Sequence, residues 1–239
     1  MSCATALSKY GILNGMVLPV ITFPTVLMSS YSMLLIPEIS TYLAQKNYKA
    51  INFVCNKIFK ITSAFSFCVC SIFLFFSSEL GLVIYNNLES GYYFKILAPL
   101  IFFMYMDNVI DSILKGLNKQ FGVMCCNILD LTVTTCFIYF FLPVIGINGY
   151  VISIFISELL NFTVSLFQLI KYAKLRIDLI DWIVIPIICC FVAFFVLSFI
   201  VLSFTNIIIN LILNIVLFIV LYFITFCCLN YLKLKYQKK

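Results

Sequence analysis

The sequence predicts an all-α membrane protein, and three observations support this fold class. First, 64% of its 239 residues are hydrophobic and only 10% are charged, whereas soluble domains average about 45–50% apolar and about 25% charged residues. Second, charge-free runs cover residues 11–37, 131–157 and 182–232, and each is longer than the ~20 residues of a membrane-spanning helix. Third, these runs lack the alternation of polar and apolar residues that a membrane barrel requires.

Charges, prolines, glycines and asparagines mark the ends of the membrane spans. They predict about seven spans, at residues 11–36, 61–88, 92–114, 121–142, 147–170, 182–204 and 206–232. Between the first two spans, residues 38–60 are predicted to continue as an amphipathic cytoplasmic helix whose four lysines face anionic lipid.

Alternating the segments between these spans from side to side separates the positive charges. One side collects 13 of the 15 cations: Lys46, Lys49, Lys57, Lys60, Lys115, Lys119, Lys171, Lys174, Arg176, Lys233, Lys235, Lys238 and Lys239. The other side keeps Lys9 and Lys95. The positive-inside rule therefore predicts a multi-pass protein of the cytoplasmic membrane with its carboxyl terminus in the cytoplasm. The amino terminus then lies outside without a signal peptide, so we expect further chain upstream of Met1.

The composition speaks against several classes of function. There are eleven cysteines and no histidine, and nine of the cysteines fall in apolar stretches, where we interpret them as small buried hydrophobes. These are Cys68, Cys70, Cys125, Cys126, Cys136, Cys189, Cys190, Cys227 and Cys228. With no nucleotide-binding glycine loop and no acidic loop cluster, we expect no metal, no cofactor and no enzyme activity. The basic excess predicts contact with membrane lipid rather than nucleic acid.

A few acidic residues lie at membrane depth, where a charge costs at least about 2.5–3.5 kcal/mol and needs a partner or a purpose. Asp107 and Asp111 are one helical turn apart, and Lys115 follows one turn later. We expect Asp111 and Lys115 to pair near the inner end of the third span. Asp107 and Asp130 are expected to face each other across the hairpin of the third and fourth spans.

Glu158 is expected near the middle of the fifth span, which makes it the most costly charge in the chain. A polar stripe runs beside it at steps of three and four residues: Ser153, Ser157, Asn161, Ser165 and Gln168. Two interpretations remain open. The stripe forms the wall of an aqueous cavity, or it makes hydrogen bonds between helices that are worth about 0.6 kcal/mol each.

Two prolines interrupt the first span. Pro19 and Pro24 each remove a backbone donor, so we expect a kinked helix. Hydroxyl groups recur beside them at Thr22, Thr25, Ser29 and Ser32. Kinked helices in transporters bend around a substrate path, although kinks also occur in other membrane bundles.

Several motifs in this order look familiar. They are YG at residues 10–11, GM at 15–16, LP at 18–19, FP at 23–24, LIPEIS at 35–40, DNVIDSILKGLNKQ at 107–120, NILD at 127–130, LP at 142–143, GINGY at 146–150 and SELLNF at 157–162. Together they resemble the stage V sporulation protein B family of polysaccharide-biosynthesis flippases. That family is a MATE-like branch of the multidrug/oligosaccharidyl-lipid/polysaccharide (MOP) superfamily. The resemblance covers residue 10 to about residue 175.

The resemblance implies fourteen helices in two lobes around a central cavity, of which this chain is similar to the last seven. Residues 1–175 then correspond to the carboxyl-terminal lobe, and residues 176–239 to two additional helices with a basic cytoplasmic tail. The implied activity is movement of a lipid-linked oligosaccharide, or another cell-wall or polysaccharide precursor, across the membrane by alternating access. Sporulation is one implied setting, and an amino-terminal half is an implied partner.

Asp107, Asp111, Asp130, Glu158 and Asn161 are predicted to line or gate that cavity, where they bind sugar hydroxyls or exchange protons or cations. Cationic residues that such flippases use for phosphate cannot be carried over, because no arginine lies within a span. Two alternatives stay open: a cation-coupled drug antiporter of the same superfamily, and a membrane scaffold without transport activity.

The predicted topology can be tested with a membrane-impermeant amine reagent. Lys46 and Lys171 are expected to react from the same compartment, because both follow spans on the predicted cytoplasmic side. Lys95, on the opposite side, serves as the control and should react from the other compartment. Mass spectrometry of intact and permeabilised vesicles reads out both, and labelling of Lys46 and Lys171 from opposite compartments would show the topology to be wrong.

Overall fold

The computed structural model describes residues 3–173, 180–199 and 206–237, and every regular element within these ranges is helical. The α-helices are α1 (Cys3–Gly11), α2 (Leu18–Thr22), α3 (Thr25–Ala44), α4 (Tyr48–Phe75), α5 (Ser77–Tyr85), α6 (Leu88–Leu97), α7 (Leu100–Gly116), α8 (Gln120–Ile145), α9 (Ile147–Ala173), α10 (Ile185–Phe199) and α11 (Ile207–Gln237). Two π-helical segments, Ile12–Val17 and Ile180–Val184, precede α2 and α10.

The prediction of an all-α membrane protein is confirmed. By length and composition, five helical segments of the described chain can cross a bilayer: Tyr48–Phe75, Gln120–Ile145, Ile147–Ala173, Ile180–Phe199 and Ile207–Lys233. Two further pairs qualify when each broken pair counts as one span, namely Thr5–Thr22 with Thr25–Ala44, and α6 with α7. The number then reaches seven.

The prediction of one continuous cytoplasmic helix over residues 38–60 is wrong. Helix α3 ends at Ala44, and α4 begins at Tyr48 and runs on into the membrane span. Lys46 adopts a positive φ of 54°, which stops the helix. The side chain of Asn47 then accepts a hydrogen bond from the Ala50 amide at 3.1 Å, an N-cap that starts α4.

The second and third predicted spans also differ from the structure. The second, residues 61–88, is divided at Phe76, whose φ of −109° and ψ of 20° are not helical. Asn86, with φ 50°, ends α5, and the Asn87 side chain caps α6 by accepting from the Glu89 amide at 2.8 Å. The third, residues 92–114, is broken before α7, where Pro99 lacks the amide hydrogen that would continue α6.

The last four predicted spans agree with the observed helices to within a few residues, wherever the structure describes them. The fourth and fifth correspond to α8 and α9, and the sixth and seventh to α10, with the π-helical segment before it, and α11. Residues 200–204 of the sixth span lie outside the described residues, as do the cations Lys174, Arg176, Lys238 and Lys239 and the predicted boundary at residues 175–176.

The chain divides into two compact units, and the first comprises Met1–Thr62 and Pro99–Ile177. Its most buried helix is α7, which packs along α3 and α9. Ser32 of α3 donates to the Ser112 hydroxyl at 3.1 Å, and Ser40 donates to the carbonyl of Gly116 at 2.9 Å. Helices α8 and α9 form a tight hairpin around Gly146, whose φ is +66°.

The second unit comprises Ser63–Ala98 and Asp178–Lys239. The last part of α4, together with α10 and α11, encloses a core that includes Cys68, Cys189, Cys190 and Phe218. Tyr222 of α11 is fully buried there and donates to the Ala64 carbonyl at 2.8 Å. Lys233 and Asp181 form an ion pair within this unit.

The prediction that nine cysteines are buried is correct for some of them. All ten cysteines from Cys55 onward are free thiols, and Cys68, Cys70, Cys126, Cys189 and Cys190 are buried as expected, whereas Cys125 is half-buried. The expectation is wrong for Cys136, Cys227 and Cys228, which are exposed. They lie on faces of α8 and α11 that no other described helix covers, and an apolar side chain is tolerated there because lipid is its solvent.

The α8–α9 hairpin predicts a strong effect of a single methyl group. A Cβ atom on Gly149 would lie 2.5 Å from the Phe141 carbonyl oxygen, whereas one on Gly11 would meet nothing within 4 Å. We expect Gly149→Ala to destabilise the protein by roughly 1–3 kcal/mol, because backbone must move to accommodate it. Thermal unfolding in detergent measures this, with Gly11→Ala as the control, and equal melting temperatures for both variants would contradict it.

Candidate functional site

The predicted kink residues lie where the first span breaks. Pro19 is at the start of α2, Pro24 precedes α3, and the helix axis bends by 47° between Thr22 and Thr25. Neighbouring hydroxyls satisfy carbonyls at the break. Tyr105 of α7 donates to the Ile21 carbonyl at 2.9 Å, and the Thr25 hydroxyl donates to the Thr22 carbonyl at 2.6 Å.

A polar cavity of about 290 Å³ opens beside this break, within the first unit. Its walls come from the break itself, from α7 and from α9. The lining residues are Thr22, Thr25, Met104, Asp107, Asn108, Asp111, Lys115, Glu158 and Asn161. We refer to it as the acidic cavity, because three carboxyl groups and one lysine line it.

The side chain of Asp107 joins α7, to which it belongs, to α9. Its Oδ2 atom accepts a hydrogen bond from Nδ2 of Asn161 at 2.9 Å. Its Oδ1 atom is buried and finds no donor among the described residues, and the same is true of Oδ1 of Asp111. A buried acceptor without a donor is costly. These two oxygens therefore retain an unused capacity to accept a hydrogen bond.

Glu158 lies across the acidic cavity on α9 and is half-buried. Asp107 and Asp130 are close enough to interact with it electrostatically. Three acids from three helices are thus concentrated in one region of the first unit. Carboxylates grouped in this way attract cations.

The predicted pair of Asp111 and Lys115 is not a contact ion pair. Both residues line the acidic cavity, and the charge of Lys115 acts on Asp111. However, neither Asp111 nor Lys115 forms an ion pair within 4.0 Å among the described residues. Lys115 is exposed, so its flexible side chain extends to solvent while Asp111 stays between the helices.

Asp130 takes a different position from the one expected. It does not line the acidic cavity but a neighbouring, mostly apolar one of about 200 Å³, which Asn161 also lines. Ser157 of α9 donates to its carboxylate, and Thr134 in turn donates to the Ser157 hydroxyl at 2.6 Å. Asp107 and Asp130 interact electrostatically, but each carboxylate accepts its hydrogen bond from α9.

Both interpretations of the polar stripe of α9, as a cavity wall and as a source of interhelical hydrogen bonds, apply to some of its residues. Ser157 and Asn161 bond to acids of α8 and α7, and Gln168 donates to the sulfur of Cys126 at 3.0 Å. Ser153 instead bonds its own helix, at the carbonyl of Gly149. The stripe therefore makes interhelical hydrogen bonds, and its member Asn161 also lines the acidic cavity together with Glu158 beside it.

Besides Lys115, which was expected only as the partner of Asp111, three uncharged polar lining residues were absent from the predicted site: Thr22, Thr25 and Asn108. The threonines carried a usable signal, because both belong to the hydroxyl series beside the kink prolines. Asn108 gave none, since it follows Asp107 directly and successive helical residues point to different faces.

The side chains that line the acidic cavity offer carboxylates, two amides, hydroxyls and one ammonium group. Such a set accepts hydrogen bonds from sugar hydroxyls and exchanges protons or monovalent cations. Within the described ranges, no group of three or more His, Cys, Asp or Glu side chains is arranged to hold a metal ion.

Comparisons with known proteins give two matches. The protein-family model described as MatE matches residues 4–141. Stage V sporulation protein B of Bacillus subtilis (strain 168) is 25% identical over 162 residues, which represent 64% of this chain and 30% of that protein. The chain thus spans about 30% of the length of this curated relative. No solved structure matches the chain.

The bond between Asp107 and Asn161 predicts an energetic coupling of α7 and α9. In a double-mutant cycle with Asp107→Ala and Asn161→Ala, we expect a coupling of about 0.6–1.7 kcal/mol, the range of hydrogen bonds between membrane helices. Unfolding in mixed micelles measures it. Asn148→Ala, an exposed asparagine at the start of α9, replaces Asn161→Ala in the control cycle and should give zero. Zero coupling in both cycles would contradict the bond.

Proposed function

Because the chain belongs to the MatE family of multi-pass membrane transporters, we propose that it forms part of a flippase for a lipid-linked oligosaccharide or a related cell-wall or polysaccharide precursor. The proposed mechanism is alternating access, in which helices rearrange around a binding site at membrane depth. The likeness to Stage V sporulation protein B supports a role in sporulation.

The observation that supports this proposal best is the acidic cavity. A polar cavity between membrane helices is costly to maintain, so its acids call for a cargo or a coupling ion. Oδ1 of Asp107 and Oδ1 of Asp111 are buried acceptors without donors among the described residues. Sugar hydroxyls supply such donors, and the chemistry of the cavity therefore fits the saccharide part of the cargo.

Lys115 is suited to bind the phosphate part of the proposed cargo. It is the one cation among the residues that line the acidic cavity, and its side chain is exposed. We propose that Lys115 binds the phosphate that links sugar to lipid, while Asp107, Asp111, Glu158 and Asn161 bind the sugar. An ammonium bound to phosphate makes a charge-assisted hydrogen bond.

The chain spans only part of its relative, so we propose that transport requires an amino-terminal half supplied upstream or by a second polypeptide. The distribution of lysines supports placement in the cytoplasmic membrane with the carboxyl terminus in the cytoplasm. The partners proposed are membrane lipid and the lipid-linked saccharide.

A second candidate function is cation-coupled drug antiport. The observation in its favour is the charge of the cavity lining, which contains three carboxyl groups against one lysine. This excess attracts cationic drugs as well as protons or monovalent cations. The two functions differ in cargo and share the carboxylates, so substrate profiling separates them.

Replacement of Glu158 by glutamine tests the flippase proposal. We expect Glu158→Gln to lower the rate of precursor flipping at least tenfold, because it removes the carboxylate that α9 contributes to the acidic cavity while keeping the side-chain volume. A fluorescent lipid-linked saccharide in proteoliposomes, with the amino-terminal half co-reconstituted, gives the rate. Glu38→Gln, on an exposed face of α3, is the matched control.

Three other outcomes would change the assignment. Unchanged flipping in Glu158→Gln would remove Glu158 from the site. Efflux of cationic dyes that depends on Asp107 or Asp130, without flipping, would favour the antiporter. Co-purification of a partner protein together with the absence of both activities would favour a membrane scaffold.

A further inference from the structure

A second polar cavity lies at one end of the first unit, away from the acidic cavity. It has a volume of about 370 Å³. It forms where α3 and α7 end, where α4 and α8 begin, and beside the last turn of α9. Its lining residues are Leu43, Tyr48, Leu117, Asn118, Lys119 and Tyr172. We refer to it as the basic cavity.

The charge of the basic cavity is positive and uncompensated. The Nζ atom of Lys119 lies 4.5 Å from the centre of the Tyr172 ring, and that of Lys171 lies 5.8 Å from the same ring. Among the described residues, no acid belongs to the lining. Neither lysine makes an ion pair within 4.0 Å to any residue of the described chain. An aromatic face holds an ammonium in place but does not neutralise it.

The walls of the basic cavity are fixed by hydrogen bonds. The turn between α7 and α8 is closed by the amide of Lys119, which donates to the Leu114 carbonyl at 2.9 Å, and Asn118 adopts a φ of 58° in this turn. Helix α9 is tied to α4 by Asn52, whose side chain donates to the Ala173 carbonyl at 3.3 Å. The site is therefore built before any ligand arrives.

The position and composition of the basic cavity match the membrane interface. Its residues follow the third and fifth predicted spans, at the end that the lysine distribution assigns to one side of the bilayer. Leu43 and Leu117 give it an apolar wall, and Tyr48 and Tyr172 add amphipathic rings of the kind that lie at headgroup level. A ligand that fits is part apolar and part anionic.

We propose that the basic cavity binds the phosphate of an anionic phospholipid headgroup, with Lys119 as the principal ligand and Lys171 as the second charge. The Tyr172 ring holds both ammonium groups close to the cavity, so less side-chain entropy is lost on binding. The leucine wall packs against the upper part of the acyl chains. Basic pockets between membrane helices recognise headgroups in this way. The site does not depend on the transport function proposed above.

Native mass spectrometry of the full chain in a neutral detergent tests the proposal. Phosphatidylglycerol is titrated against phosphatidylcholine, and the copies retained give an apparent Kd for each lipid. We expect phosphatidylglycerol to bind more tightly, and Lys119→Gln to weaken its binding about fivefold without affecting phosphatidylcholine, as for the loss of one lysine near an anionic surface. Tyr172→Leu should weaken it too, because both ammonium groups lose their aromatic contact.

Lys57→Gln is the matched control, because it removes the same charge from an exposed position on α4 outside the basic cavity. It should leave the Kd for phosphatidylglycerol unchanged. An equal loss of affinity in Lys57→Gln, or equal binding of the two lipids by the original chain, would overturn the site. Complete displacement of the lipid by inorganic phosphate would also overturn it, because the ligand would then be a free anion.

Discussion

The first unit depends on one constraint, namely that a carboxylate at membrane depth must receive hydrogen bonds from a neighbouring helix. Asp107 of α7 receives one from Asn161 and Asp130 of α8 receives one from Ser157. Both donors belong to α9 and are four residues apart, so they lie on one face of that helix. This face of α9 thereby fixes the positions of α7 and α8. It also places Glu158 close to Asp107 and Asp130.

The need to satisfy buried polar groups also explains how a cavity can exist in such an apolar chain. The Pro24 break leaves a gap in the first span, and the carbonyls at the break are satisfied by Tyr105 and Thr25, so no water is needed to close it. The gap opens onto the face of α7 that carries Asp107 and Asp111. The proline break of the first span and the carboxylates of α7 therefore meet at the acidic cavity, although they are far apart in sequence.

The sequence was sufficient for the fold class, and four of its predicted site residues, Asp107, Asp111, Glu158 and Asn161, line the acidic cavity. It was not sufficient for every helix boundary. Long charge-free runs fix the existence of spans, because each must cross a bilayer. The breaks at Lys46, Phe76 and Pro99 depend on local backbone geometry instead, and only Pro99 and the Asn47 cap leave a sequence signal. The assignment of Asp130 to a separate cavity depends on the rotation of α8 about its axis, which periodicity cannot give when all faces are apolar.

Helix α7 leads from the acidic cavity to the basic cavity, and this connection limits how each can change. Asp107 and Lys115 are eight residues apart on α7, about 12 Å along its axis, and Lys119 follows in the next turn. Acidic and basic sites are thus arranged in sequence along one rigid element. A shift of α7 that moved Asp107 relative to Asn161 would move the Leu117–Lys119 turn with it. A headgroup bound in the basic cavity, as proposed above, would therefore oppose displacement of the acids, because α7 leads from one site to the other.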